Sequence, residues 1–154
     1  MLSSLGNKLA EMKEKARVIP VSLDLGYLPG EGTEQEFIVF GDKRAFQKAY
    51  TLSDVPDAVS ALDFRRFYLV GIHLGTCPTG GYRIEVEQVA RSTGKVEITV
   101  EFHEPKPDEM VTLAMTTPSM FFLVPRLKEK EPPVFVFKST GGIPLAERKP
   151  EFGK

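Results

Sequence analysis

An α+β domain, mainly antiparallel β in a sandwich or partly open barrel, with one or two short helices and an N-terminal amphipathic helix, is what this sequence predicts. Three observations carry the prediction. Between residues 68 and 102 apolar positions recur with a period of two: Tyr68, Val70, Ile72 and Leu74, then Tyr82, Ile84 and Val86, then Val96, Ile98, Val100 and Phe102, the signature of strands whose two faces differ. Two short runs, Phe37-Ile38-Val39-Phe40 and Met120-Phe121-Phe122-Leu123-Val124, are continuously apolar and suit strands covered on both faces. Helical spacing is confined to the N-terminus and to two short stretches, behind Asp42 and around Pro56.

The elements follow in order. In residues 2–17, Leu2, Leu5, Leu9, Met12 and Ala16 fall at spacings of three and four among lysines and glutamates, which predicts an amphipathic helix that packs on the domain or pairs with a copy of itself, with adsorption at a membrane surface as the alternative. Ile19, Val21, Leu23 and Leu25 then alternate with polar positions, and Pro20 places this strand at a sheet edge. Residues 26–34, with Gly26, Pro29, Gly30 and Gly32, form an exposed loop. Asp42 caps a helix carrying Ala45, Phe46, Ala49 and Tyr50 on its apolar side, and a second turn of helix follows Pro56.

The rest is dominated by strands. Val89 is out of phase with Val86, which predicts a bulge near Gln88, and residues 91–94 reverse the chain into the strand 96–102. Pro105 and Pro107 end that strand. Val111, Leu113 and Met115 predict another, halted at Pro118. Val134 to Phe137 add one more, and residues 138–154, with Gly141-Gly142, Pro144 and Pro150, read as irregular and partly mobile. Residues 1–17 are thus the helix, 18–127 the β-rich domain, and 128–154 an additional strand and tail of the same domain.

Composition excludes several functions. With 154 residues, 42% hydrophobic and 27% charged, the chain suits one domain with one sizeable core. Twenty Lys+Arg against 21 Asp+Glu, a net charge of −1, give no basic excess for phosphates, so nucleic acid is not an expected partner. Cys77 is the single cysteine, so a disulfide framework and a cysteine-rich zinc site are excluded. No apolar run reaches the roughly 18 residues of a membrane span, and no leader-like apolar core opens the chain, so a soluble, cytoplasmic protein is expected.

The candidate site is the turn-rich stretch Thr76, Cys77, Pro78, Thr79, Gly80, Gly81 and Tyr82, set between two strongly strand-like segments. Pro78 fixes φ, and Gly80-Gly81 permits positive φ and close backbone approach, so the loop is pre-shaped for a partner. The same glycines would also serve a plain hairpin connection. Enzymatic alternatives are thin. Cys77 with His73 or His103 would make a nucleophile and base, but spacing does not bring them together. The histidines read as solvated strand residues. Neither they nor Glu101 and Glu104 show metal-ligand spacing, and Glu85/Glu87 and Asp108-Glu109 read as exposed faces. No catalytic residue, metal or cofactor is expected, and no glycine loop opens a helix to cradle phosphate.

Ala61-Leu62-Asp63-Phe64, the apolar strand after it, Leu74-Gly75-Thr76-Cys77-Pro78-Thr79-Gly80-Gly81-Tyr82-Arg83-Ile84-Glu85-Val86, Pro105-Lys106-Pro107 and Thr116-Thr117-Pro118 together resemble the C-terminal domain of the PrcB family of protease-complex subunits, over about residues 37–127. The resemblance implies a non-catalytic domain that associates with a protease and helps to stabilise it; residues 76–82, pre-shaped as argued above, are the expected contact. Members of that family are commonly exported or lipid-anchored, which would allow export here if a leader had been removed. The strand and tail after Leu127 have no counterpart in it. A weaker likeness, resting on Pro78-Thr79, one glycine and Tyr82, is to the loop by which chagasin-like inhibitors enter cysteine protease clefts.

Overall fold

The computed structural model describes residues 13–15, 19–23 and 34–153. Among the described residues, nine strands and two short helices follow one another as β1 (Lys13–Lys15), β2 (Ile19–Val21), β3 (Glu36–Phe40), α1 (Lys43–Ala49), α2 (Asp57–Ser60), β4 (Phe67–His73), β5 (Arg83–Ser92), β6 (Lys95–His103), β7 (Ser119–Pro125), β8 (Val134–Ser139) and β9 (Pro144–Arg148). They form two sheets, β1-β5-β6-β8-β9 and β2-β7-β4-β3. The sheets share a core in which Phe37, Val39, Tyr68, Val70, Ile72, Phe122 and Val124 meet Val86, Val96, Ile98, Val100, Phe135 and Phe137. This is an open sandwich, not a barrel.

The four-stranded sheet is covered again on its other face. There Ile38, Phe40, Leu69, Phe121 and Leu123 pack with Ala45, Phe46 and Tyr50 of α1 and Val59 of α2. A sheet held between a second sheet and two helices needs apolar residues at successive positions, which explains the continuous runs in β3 and β7. It also explains why Leu69 and Gly71 are buried although β4 was expected to show two unlike faces. Asp42 caps α1 by accepting a hydrogen bond from Ala45 N at 2.8 Å, as predicted. Pro20 lies in edge strand β2, also as predicted.

The hairpin β5–β6 keeps the expected register, with its shift between Val86 and Gln88. One pairing departs from the antiparallel expectation: β6 and β8 are parallel. Between them the chain passes through β7 in the other sheet, and such a crossover is what parallel neighbours require.

Three further expectations are corrected. Lys13–Lys15, inside the expected N-terminal helix, is a strand paired with β5 through Lys13↔Ala90, Glu14↔Val89 and Lys15↔Gln88. Unpaired ladder groups on β5 offer these residues more than a marginal helix would. The remainder of that helix and residues 24–33 lie outside the described residues. The strand expected over residues 111–116 is absent, save for one bridge between Thr116 and Cys77, because this segment must travel from one sheet to the other rather than along either.

The tail expected to be irregular instead contains β9, paired with β8. Beyond it, Glu151 bonds to the edge of β3 through Gly41 N→Glu151 O at 2.7 Å and Glu151 N→Val39 O at 2.8 Å. Gly153 N then donates to Asp42 Oδ1 at 2.9 Å, so the residue that caps α1 also anchors the tail.

Candidate functional site

Antiparallel pairing fixes the ends of two connections. His73, the last residue of β4, lies opposite Ser119, the first of β7. Arg83, the first residue of β5, lies opposite His103, the last of β6. Residues 74–82 therefore cross from the four-stranded to the five-stranded sheet, and residues 104–118 cross back, starting and finishing beside the first. The two crossings bond to each other along their length. Leu74 N donates to Pro118 O at 3.0 Å, Cys77 N to Thr116 O at 2.7 Å, Thr116 N to Cys77 O at 2.9 Å and Gly80 N to Thr112 O at 2.9 Å. Thr116 Oγ1 donates to Thr79 O at 2.8 Å.

This arrangement corrects the picture of a hairpin turn: β4 and β5 belong to different sheets. Cys77 is buried, Thr76, Thr79, Gly80 and Tyr82 are partly covered, and Pro78 and Gly81 are exposed. Gly81 alone of the Gly80-Gly81 pair takes a positive φ, +87°. A Cβ added there would stand 2.8 Å from Pro105 Cβ and from Val111 Cγ1, so the second crossing closes against the first at this point.

The second crossing turns at Pro107-Asp108, where Glu109 N donates to Lys106 O at 3.0 Å, with proline at the position that suits its fixed φ. It then presents Met110, 98% exposed, Leu113, 88% exposed, and Met115, 67% exposed. Sequence reasoning assigned Leu113 to a strand face and overlooked Met110. Their chance of detection lay in Pro105 and Pro107, which mark the segment as one that cannot lie within a sheet.

The titratable groups are distributed away from a cysteine nucleophile. Burial, with a smaller contribution from the charge of Glu104, pushes the Cys77 thiol up, the reverse of what a nucleophilic thiolate requires. His73 is buried, contrary to expectation. Its Nε2 lies 2.6 Å from Tyr50 Oη and its Nδ1 2.6 Å from Ser119 Oγ, and its ring meets Phe121 and Tyr50 edge-on. Helix α1 supplies the tyrosine, so this chain of hydroxyl, imidazole and hydroxyl ties α1 to β4 and β7. It was invisible in the sequence because its members lie 23 and 46 residues apart.

His103, partly exposed on the outer face of the five-stranded sheet, has its Nε2 2.7 Å from Glu85 Oε2 and 3.7 Å from Glu101 Oε2. Glu85 and Glu101 are directly opposite across the hairpin. A hydrogen bond with Glu87, followed by smaller effects of the surroundings, holds the Glu101 carboxyl above its usual range.

A cleft of about 730 Å³ opens elsewhere, between the start of α1 and residues 61–65. Two of its polar groups hold the fold: Asp42 accepts from Ala45 N and Gly153 N, and Arg126 Nη1 donates to Phe64 O at 2.7 Å.

Residues 68–124, which run from β4 to β7 and include both crossings, match the family described as PrcB C-terminal. No curated protein and no solved structure matches the chain. The matched span is narrower than the resemblance read from the sequence: β3, α1 and α2 fall outside it.

Proposed function

We propose that this chain is a non-catalytic binding module that docks a partner protein, a protease in the sense the family resemblance implies, on the face formed by residues 76–82 and 104–118. The observation that carries the proposal is the exposure of Met110, Leu113 and Met115 at 98%, 88% and 67% on one crossing. Large apolar side chains held in water are characteristic of contact surfaces. Here they project from backbone already fixed by the Cys77–Thr116 bridge, and preorganisation of that kind lowers the cost of association.

A partner role without catalysis agrees with the chemistry nearby. Cys77 is buried with a raised thiol pKa, and each imidazole is engaged with groups other than that thiol. Insertion of residues 78–82 into a protease cleft, as in chagasin-like inhibitors, gains less support, because Gly81 is backed by Pro105 and Val111 instead of standing free.

Affinity capture from native lysate tests the proposal, using wild type, Pro78→Ala/Gly80→Ala/Gly81→Ala, and Met110→Ser/Leu113→Ser/Met115→Ser as baits. Captured material is assayed for peptidase activity. Wild type is expected to retain a peptidase whose activity persists in the complex, and both variants to lose it. Equal capture by all three baits would contradict a role for this face, and stoichiometric loss of peptidase activity would favour inhibition.

A further inference from the structure

The outer face of the β5–β6 hairpin brings one imidazole and two carboxylates to a point. The ligand-capable atoms of Glu85, Glu101 and His103 all lie within 4.8 Å of one another. Two of the separations, 2.7 Å from His103 Nε2 to Glu85 and 3.7 Å to Glu101, bracket the ~3.4 Å edge of a tetrahedron with bond lengths near 2.1 Å, as for zinc with nitrogen and oxygen ligands. The backbone supports all three. Glu85 and Glu101 are register partners, and His103 is two residues from Glu101 on the same strand face.

Without a cation, carboxylates directly opposite in a ladder repel, and a third carboxylate, Glu87, adjoins Glu101. Among the described residues, the ion pairs of this group join Glu85 and Glu101 to His103.

We propose that Glu85, Glu101 and His103 form a binding site for a divalent first-row transition metal of the zinc type. The imidazole nitrogen favours such an ion over magnesium or calcium, which take oxygen ligands. Three protein ligands at a partly exposed position leave a fourth coordination position open to water or to a group from another molecule. Linear spacing could not reveal the site, because one ligand comes from β5 and two from β6. It is independent of the partner-binding proposal.

The test is calorimetric titration of the untagged full chain with zinc chloride, together with ¹⁵N imidazole spectra. The protein has only two histidines, and His73, bound to Tyr50 and Ser119, serves as the internal control. One equivalent of zinc should bind and move the His103 imidazole resonances while those of His73 stay in place. Glu85→Gln and Glu101→Gln should each weaken binding by about tenfold or more, and His103→Ala should abolish it. Three results would overturn the proposal: no saturable binding, binding to His103→Ala equal to that of wild type, or competition by magnesium as effective as zinc, which marks a diffuse acidic patch. The imidazole spectra of wild type decide the matter even if a variant folds poorly.

Discussion

Gly81 shows how closely the two crossings are fitted. Its φ of +87° is one that residues with a Cβ rarely adopt, and the space a Cβ would occupy is taken by Pro105 and Val111. Gly81→Ala should therefore destabilise the domain by about 1–3 kcal/mol through backbone strain, with added cost from displacing the second crossing. Chemical denaturation measures it, and an unchanged midpoint would show that the crossings separate without penalty. At this scale the sequence was partly legible. The need for a positive φ was readable from Gly80-Gly81, but only Gly81 uses it. His73 was misread as solvated, because its partners Tyr50 and Ser119 come from elements distant along the chain. Cys77 is buried and bridged to Thr116, a pairing that its sequence neighbours could not reveal.

At the scale of elements, strands with strong hydrophobic patterns were legible: β3 and β7 stand where continuous apolar runs put them, and the β5–β6 hairpin, with its shift, where alternation did. Elements formed by closing an edge were not. Lys13–Lys15 becomes a strand because β5 offers unpaired ladder groups, and β9 forms because β8 does, and neither segment advertises this in its own residues. The end of the chain is the sharpest case. Residues 151–153, expected to be irregular, bond to Gly41, Val39 and Asp42, and Gly153 lies so close to α1 that an added Cβ would stand 2.3 Å from Arg44 Cβ. Deleting residues 149–154 should cost about 2–4 kcal/mol, taking each lost hydrogen bond at roughly 1 kcal/mol, and should lower the thermal midpoint. A truncated chain as stable as wild type would refute the anchoring role assigned to these residues.

For the molecule as a whole, hydrophobic pattern foretold two-sided burial, but not that the chain leaves one sheet after β4 and returns after β6. That double passage places residues 74–82 beside 104–118 and makes a single face of two segments that look unrelated in the sequence. It also accounts for the failed strand at 111–116, since its alternating residues serve a crossing and leave Leu113 and Met115 exposed. The family match, from residue 68 to 124, spans both passages. The most direct measurement is hydrogen exchange of the amides of Cys77, Gly80 and Thr116, which donate to Thr116 O, Thr112 O and Cys77 O. All three should be protected and should exchange together as one cooperative unit. Exchange of Cys77 and Thr116 at the rate of an unstructured chain would mean that the crossings are independent loops and that no preformed face exists.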